Sequence, residues 1–413
     1  MTRSMRWIAG MMLVAFAVAS TPARTGADEA IKVLSNRYPA TEFYTKAMQE
    51  ALPGVKVEVT MMPVDKVLEQ TKIALSQASD AWDIVYVNDG IQQLYAKSGW
   101  LEPLDELWAK YRAQYTLDDI PDAVLDKYRY GKTLYAVPFN GNTMLFFYRA
   151  DLFRDKGLRP PTTFEEYVKA AQALHSSTVA GTALSLKPVD AAQNEVHWYF
   201  NAFGAQWFDD KWRPTFNSPA GVKAIETMRA VSRFAPAGFT SHANDETTVN
   251  FQQGRVAMGI MWNPRAKAMD DPTKSQVVGK IDWVAPPGGG TKLALDGYAI
   301  SRFSKKNKDT LFRIMAIASD EAHMRQVADV SAPVRNTVLS DPELVKKYRF
   351  YPGLLATLKV ARPLPPLPEF PQVGEIVTRH VIEAVTGSGP VKPALDAAAR
   401  EVEELLKKRG YYR

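Results

Sequence analysis

The sequence predicts an α/β fold built as two lobes, and three observations carry that expectation. Short strand-like runs alternate with helical patterns from Ile31 onward: strand 31–34, helix 43–50, strand 55–60, helix 66–77, strand 83–87. Such alternation argues for a parallel sheet with helices on both faces. The stretch 132–174, KTLYAVPFNGNTMLFFYRADLFRDKGLRPPTTFEEYVKAAQAL, sets a strand, a polar gap, a second strand and a capped helix in a row, the layout of a hinge between lobes. Finally, 413 residues with 46% hydrophobic content can bury one large core or two medium ones.

Within the hinge stretch, 134–139 is apolar and closed by Pro138, which cannot donate to a ladder. Asn140, Gly141, Asn142 and Thr143 tolerate unusual dihedrals and keep amides available. Residues 144–148 form a second apolar run, and a short helix after Arg149 stops at Gly157. Thr163 and Glu166 have the spacing of a capping box for helix 164–174. Further on, 195–207 reads as a helix stopped near Gly204, and 219–234 as an amphipathic helix through Val222, Ile225, Met228 and Val231. In 249–261 a helix ends at Gly254 and a strand follows, presenting Trp262 and Asn263 at its carboxyl end. The run 286–290, PPGGG, is the clearest flexible break and the expected second crossing between lobes. Helices are expected at 304–318, 375–385 and 392–406, the last with Leu395, Ala398, Val402 and Leu405 on one face.

Composition excludes several classes. The chain has no cysteine, hence no disulfide, thiolate nucleophile, cysteine metal site or lipid-anchor cysteine. Arg3 and Arg6 followed by the apolar run 7–19 read as an export signal too short to span a bilayer. Cleavage after Ala27 fits the small residues Thr25 and Ala27, with 18–20 as a rival site. Loss of residues 1–27 removes Arg3, Arg6 and Arg24 and no acid, so the formal charge drops from +6 to +3. With no Lys/Arg run interleaved with aromatics, nucleic acid is not an expected partner.

Several words of the sequence resemble one family, the extracellular solute-binding proteins, family 1, of ABC sugar importers. They are Leu134-Tyr135-Ala136-Val137-Pro138, Phe147-Tyr148-Arg149, Asp151-Leu152-Phe153, Gly157-Leu158 and 160–166. Others are Asp83-Ile84-Val85 with Asn88-Asp89, 99–105 (GWLEPLD), Phe251 with Gly254-Arg255, Ala257-Met258 and Trp262, and 296–300 (DGYAI). Pro333-Val334-Arg335, Ser340-Asp341-Pro342 and Ala361-Arg362-Pro363 resemble the subgroup that imports sugars and polyols. The resemblance implies a two-lobe periplasmic-binding-protein fold of type II, like maltose-binding protein, with a ligand cleft at the hinge. It also implies a monomeric periplasmic protein that captures a sugar or polyol, docks on the transmembrane subunits of an ABC permease, and uses neither cofactor nor catalysis. The expected partition is a signal peptide at 1–27, a first lobe of 28–139 and 288–325, and a second lobe of 140–287 and 326–413.

In open α/β sheets ligands sit beyond the carboxyl ends of strands, which makes Asn36, Asn88 and Asp89 candidates. The resemblance carries a hydroxyl-bonding role to Asp89, whose competing reading is a helix cap, and to Asn142 in the hinge. Trp262 and Asn263 suit a sugar, whose apolar face takes an aromatic plate while amides bond hydroxyls. Trp198 has two open readings, ligand stacking or packing, and Arg335 likewise, a cleft hydroxyl or a carboxylate in the wall. Gly297 and Tyr298 belong to a family word in which a glycine lets backbone approach ligand; Asp296 stands where that word has its first glycine.

No P-loop, dinucleotide fingerprint, GxSxG, HExxH or EF-hand pattern occurs, and His197 has no neighbouring ligand set. The rival readings are a binding protein for glycerol phosphoesters or another small solute, such as polyamine or iron, and a secreted glycoside hydrolase. The candidates mix amides and aromatics with one acid, Asp89, and one base, Arg335, a set that favours a neutral polyhydroxy ligand.

Overall fold

A computed structural model of the chain describes residues 30–188 and 190–412, and of Asp65 and Asp89 the backbone only. The expected export signal at 1–27 lies outside the described residues. No described helix is long and apolar enough to cross a membrane.

Among the described residues, nine strands form the frame: β1 (Ile31–Asn36), β2 (Val57–Met62), β3 (Ile84–Asn88), β4 (Arg129–Tyr130), β5 (Thr133–Leu134), β6 (Val137–Arg149), β7 (Met258–Trp262), β8 (Ile281–Val284) and β9 (Leu293–Ile300). The main sheet runs β2-β1-β3-β9-β6-β7, with β8 also paired to β6; β4 and β5 make a separate hairpin. The parallel expectation holds for β2, β1 and β3. Beyond them the sheet is mixed, because β9 runs antiparallel to both β3 and β6.

The expected polar gap at 140–143 is instead the middle of β6. Its first half pairs β9 from Val137 opposite Tyr298 to Thr143 opposite Leu293, with a register shift between Pro138 and Asn140. Its second half pairs β7 from Met144 opposite Trp262 to Tyr148 opposite Met258. One strand therefore passes from the first lobe to the second. The amides at 140 and 142 do not break the ladder because their side chains bond a buried carboxylate, described below.

The second half of β6 alternates as a strand between two layers must. Met144 and Phe146 enter a core with Tyr167, Trp198, Tyr199, Phe200 and Val377. Leu145 and Phe147 point the other way, into a core continuous with Val33, Leu34, Val85, Leu311 and Phe312 under the first lobe's sheet. The local signals read from sequence act as expected at several helix ends. Thr163 Oγ1 accepts from Glu166 N at 3.2 Å while Glu166 Oε2 accepts from Thr163 N at 3.2 Å. Helix Phe164–Leu174 has the expected bounds, and helix Val391–Lys408 buries Leu395, Ala398 and Val402, with Leu406 rather than Leu405 completing the face.

The lobe boundaries differ from expectation in two places. The 286–290 run does not cross between lobes; it lies on the second, where a Cβ at Gly290 (φ +79°) would come within 2.5 Å of Asn201 Cβ. The crossing is made by β9 itself, whose Leu293 N bonds Arg362 O and whose later residues pair with β3. The return to the second lobe comes after 337 rather than at 325. Ser331 bonds Asn140, Arg335 bonds carbonyls of Tyr115 and Thr116, and Thr337 bonds Asp119, which holds this segment on the first lobe. Segment 326–340, which includes the short helix Asn336–Leu339, carries polar groups that need these partners, and that need is invisible in a hydropathy pattern.

Candidate functional site

The strand crossing brings β3, β6 and β9 together at one buried carboxylate. Asp296 sits on β9 opposite Asn88 of β3 and Asn140 of β6 and is 3% exposed. Its Oδ2 accepts from Tyr38 Oη at 2.6 Å, Asn140 Nδ2 at 3.0 Å and Asn142 Nδ2 at 2.5 Å. Its Oδ1 accepts from Tyr86 Oη at 2.5 Å. Burial pushes the Asp296 carboxyl above the usual carboxylate range, against the opposing pull of the Tyr38, Tyr86 and Asn140 hydrogen bonds and the Lys292 charge. Burial and the same carboxylate push both tyrosine hydroxyls well up, so they remain donors. Asn140 Oδ1 in turn accepts from Ser331 Oγ and from Ala332 N at 3.1 Å, tying the hub to the returning segment.

On the second-lobe side of the crossing lies a second polar knot. Asn263 Oδ1 accepts from Thr143 N at 2.9 Å, and Thr143 Oγ1 donates to Lys292 O at 3.1 Å. The Lys292 ammonium pairs with Asp190 Oδ1 at 3.1 Å and lies 5.6 Å from the centroid of the Trp262 ring. Asp190 opens helix Asp190–Ala202, and its Oδ2 accepts from Asn194 Nδ2 at 2.8 Å. Asn142 Oδ1, Asn194 Oδ1, Asn263 Nδ2 and Thr291 Oγ1 are buried without a partner among the described residues. Such orphans are uncommon in folded proteins, and each costs free energy unless something pairs it.

The residues expected from sequence divide sharply. Asn142, Trp262 and Asn263 belong to this region, and Asn36 ends β1. Asn88, not Asp89, is the helix cap: its Oδ1 accepts from Gly90 N at 3.2 Å and Ile91 N at 2.9 Å. Asp89 begins the helix Asp89–Lys97, and its side chain lies outside the described structure.

Four expectations need correction. Trp198 is buried in the second-lobe core against Phe146, Phe164 and Tyr167, with Nε1 donating to Pro287 O at 3.1 Å, so its faces are taken by packing. Arg335 is fully buried, and its guanidinium donates to the carbonyls of Ser319 (3.0 Å), Thr116 (2.7 Å) and Tyr115 (3.1 Å). It ties the turn at 115–116 to the carboxyl end of helix Lys308–Ala318 inside the first lobe, and burial holds its pKa below the usual arginine value. Tyr298 stacks on Phe139 at 4.6 Å and shares a 2.8 Å hydrogen bond with Ser35 Oγ, again as core. At Gly297 a Cβ would meet the Tyr128 ring at 3.0 Å, so the glycine is there for that ring rather than for a ligand.

Sequence reading missed Asp296, Tyr38, Tyr86, Asn140, Asp190, Asn194 and Lys292. The available signal was an acid inside the apolar strand LALDGYAI, which needs buried partners. His197, set aside as a metal ligand, bonds Arg362 O at 3.0 Å and accepts from Trp207 Nε1 at 3.1 Å; burial pushes its pKa down to about 4, so it is neutral. No group of three potential metal ligands occurs among the described residues.

The two lobes also touch away from the hinge. Lys97 Nζ, on helix Asp89–Lys97, lies 3.3 Å from Glu369 Oε1, and Tyr411 Oη donates to Glu369 Oε2 at 2.5 Å. Beside this contact a cavity of about 130 Å³ lies between Gly90, Gln93 and Lys127 on one side and 364–366 on the other.

A two-lobe α/β frame with strands crossing between lobes and polar groups gathered at the crossing defines a ligand-binding class of protein. Residues 35–317 match the model of the bacterial extracellular solute-binding proteins, and the chain belongs to that family. It is 25% identical over 403 residues to a mannitol-binding protein of Pseudomonas aeruginosa, covering 89% of this chain and 90% of that one. It is 23% identical over 332 residues to the sn-glycerol-3-phosphate-binding periplasmic protein UgpB of Escherichia coli, covering 75% and 76%. Among solved structures it resembles an ABC transporter solute-binding protein of Agrobacterium radiobacter in complex with ribitol. There the TM-score is 0.82 at 25% identity, over 92% of this chain and 99% of that one. A maltose-bound Thermotoga maritima protein, with a TM-score of 0.80 at 20% identity, shares the fold.

Proposed function

We propose that this chain is a periplasmic binding protein that takes a neutral polyol or sugar between its lobes and delivers it to the transmembrane subunits of an ABC importer. The observation that carries this reading is the strand crossing, where the Asp296 hub and the Trp262 knot offer donors, acceptors and orphaned amides within one polar region. A polyhydroxy ligand both gives and takes hydrogen bonds, so it suits such a mixture. The mannitol-binding relative and the ribitol complex support the same ligand class. Export by residues 1–27, a monomeric state, and the absence of covalent chemistry or nucleic-acid binding complete the reading.

The rival is a phosphoester ligand, favoured by the glycerol-phosphate-binding relative. A dianionic phosphate calls for several bases or helix N-termini aimed at one point. Here Lys292 is already paired with Asp190, Asp296 is a carboxyl group that offers no positive charge, and Arg335 is spent on carbonyls. The test is calorimetry of D-mannitol, ribitol and sn-glycerol 3-phosphate at two ionic strengths, preceded by a thermal-shift screen of sugars and polyols. The neutral-ligand reading expects binding of a polyol or sugar that changes little with salt. Tighter binding of the phosphate, weakening steeply with salt, refutes it.

A further inference from the structure

We propose that Asp190 and Lys292 form a ligand-gripping pair of the second lobe, which holds two adjacent hydroxyls of the ligand and so sets its specificity. The inference rests on the polyol reading above and adds residues to it. Lys292 Nζ and Asp190 Oδ1 stand 3.1 Å apart, a fixed donor beside a fixed acceptor. A vicinal diol presents two oxygens at a similar spacing, so one hydroxyl accepts from the ammonium while its neighbour donates to the carboxylate. The two partners differ in access: the Lys292 side chain is 8% exposed and that of Asp190 is 42% exposed. The ammonium is thus held inside, while the carboxylate reaches the solvent through which a ligand arrives.

A second, independent observation points to a ligand at this place. Thr291 Oγ1, the neighbour of Lys292, and Asn194 Oδ1, on the residue that bonds Asp190, are both fully buried and have no partner among the described residues. Asn263 Nδ2 is equally buried and orphaned, and its residue reaches Lys292 through Thr143. Orphaned polar atoms on three elements, two joined to the ion pair by hydrogen bonds and the third next to Lys292 in the chain, are what a polyhydroxy molecule would complete. Trp262, with the ammonium over its ring, gives the pair an apolar wall.

The experiment is isothermal titration of D-mannitol, ribitol and a set of mono-deoxy hexitols into wild type, Asp190→Asn, Lys292→Met and the double variant, with thermal melts of each. The proposal expects each single variant to weaken polyol binding at least tenfold and the double variant to be no more than about twofold worse than the weaker single. It also expects wild type to discriminate at least tenfold against one deoxy position, and both variants to lose that discrimination. A purely structural pair would lower the melting temperature and leave deoxy discrimination intact, which overturns the proposal. Because Asp190 is half exposed, Asp190→Asn reports even where Lys292→Met does not fold. Polyol affinity within twofold of wild type in Asp190→Asn overturns the pair alone. A wild type that binds no sugar or polyol overturns the polyol reading and the pair together.

Discussion

Replacing Asp296 with alanine should destabilise the protein by about 3–5 kcal/mol, whereas asparagine should cost only about 1–2 kcal/mol. Alanine removes the acceptor of four donors at once: Tyr38, Tyr86, Asn140 and Asn142. Each buried donor left unpaired costs about 1–3 kcal/mol. The sum is reduced because Asn140 Nδ2 keeps the Tyr38 oxygen at 2.9 Å and because the desolvation cost of the buried carboxyl disappears with it. Asparagine behaves differently. With its amide oxygen in place of Oδ2 it still serves Tyr38, Asn140 and Asn142, and its NH₂ meets Tyr86, whose hydroxyl can turn and accept. What is lost is the charge assistance. The pH dependence gives a second check. The folded carboxyl is raised above its unfolded value, so the native state holds its proton more tightly. Its contribution to stability therefore falls as pH rises from the unfolded pKa through the folded one. Asparagine should compare best with wild type at neutral pH and worst in acid. Urea denaturation of the three proteins at pH 4 and pH 7 measures this. Equal losses for alanine and asparagine, or an alanine cost below about 1 kcal/mol, would refute the hub.

Three further outcomes are expected. Trp262→Ala should weaken polyol binding by about 1–3 kcal/mol through lost aromatic area, with little change in melting temperature; unchanged affinity by calorimetry would make Trp262 a wall residue only. Burial raises Glu195 to about 8 from 4.5 and lowers His197 to about 4 from 6.5. Stability thus falls with pH through Glu195 between about 4.5 and 8 and rises through His197 between about 4 and 6.5. The two oppose each other below 6.5, leaving a loss of about 2 kcal/mol between pH 6.5 and 8. Glu195→Gln should abolish that loss in denaturant melts, and a parallel decline in the variant would point to other groups. Lys97→Met removes an ion pair to Glu369 across the seam between lobes, with side-chain exposures of 40% and 9%. A partly exposed pair is worth about 1 kcal/mol, so ligand release should quicken about fivefold. The chain has no native cysteine, so a dye pair placed on opposite lobes can follow opening directly, and an unchanged release rate would mean the contact does not hold the lobes.

The sequence by itself determined the local units. The capping box at Thr163 and Glu166, the helix Phe164–Leu174 and the apolar face of the last helix were legible because each depends on residues a few positions apart. Family words spread along the chain made the class of protein legible as well. What only the tertiary structure decided is who meets whom at the crossing. Asp296 meets Tyr38 and Asn142, 258 and 154 positions away, because β9 lies between β3 and β6. The same holds for Arg335, a cleft candidate by residue type that is instead consumed by three carbonyls, two of them some 220 positions away. A charged or amide side chain carries its chemistry in the sequence, but its role is set by the partners that reach it. Those partners are fixed by strand order and burial, which no local pattern records.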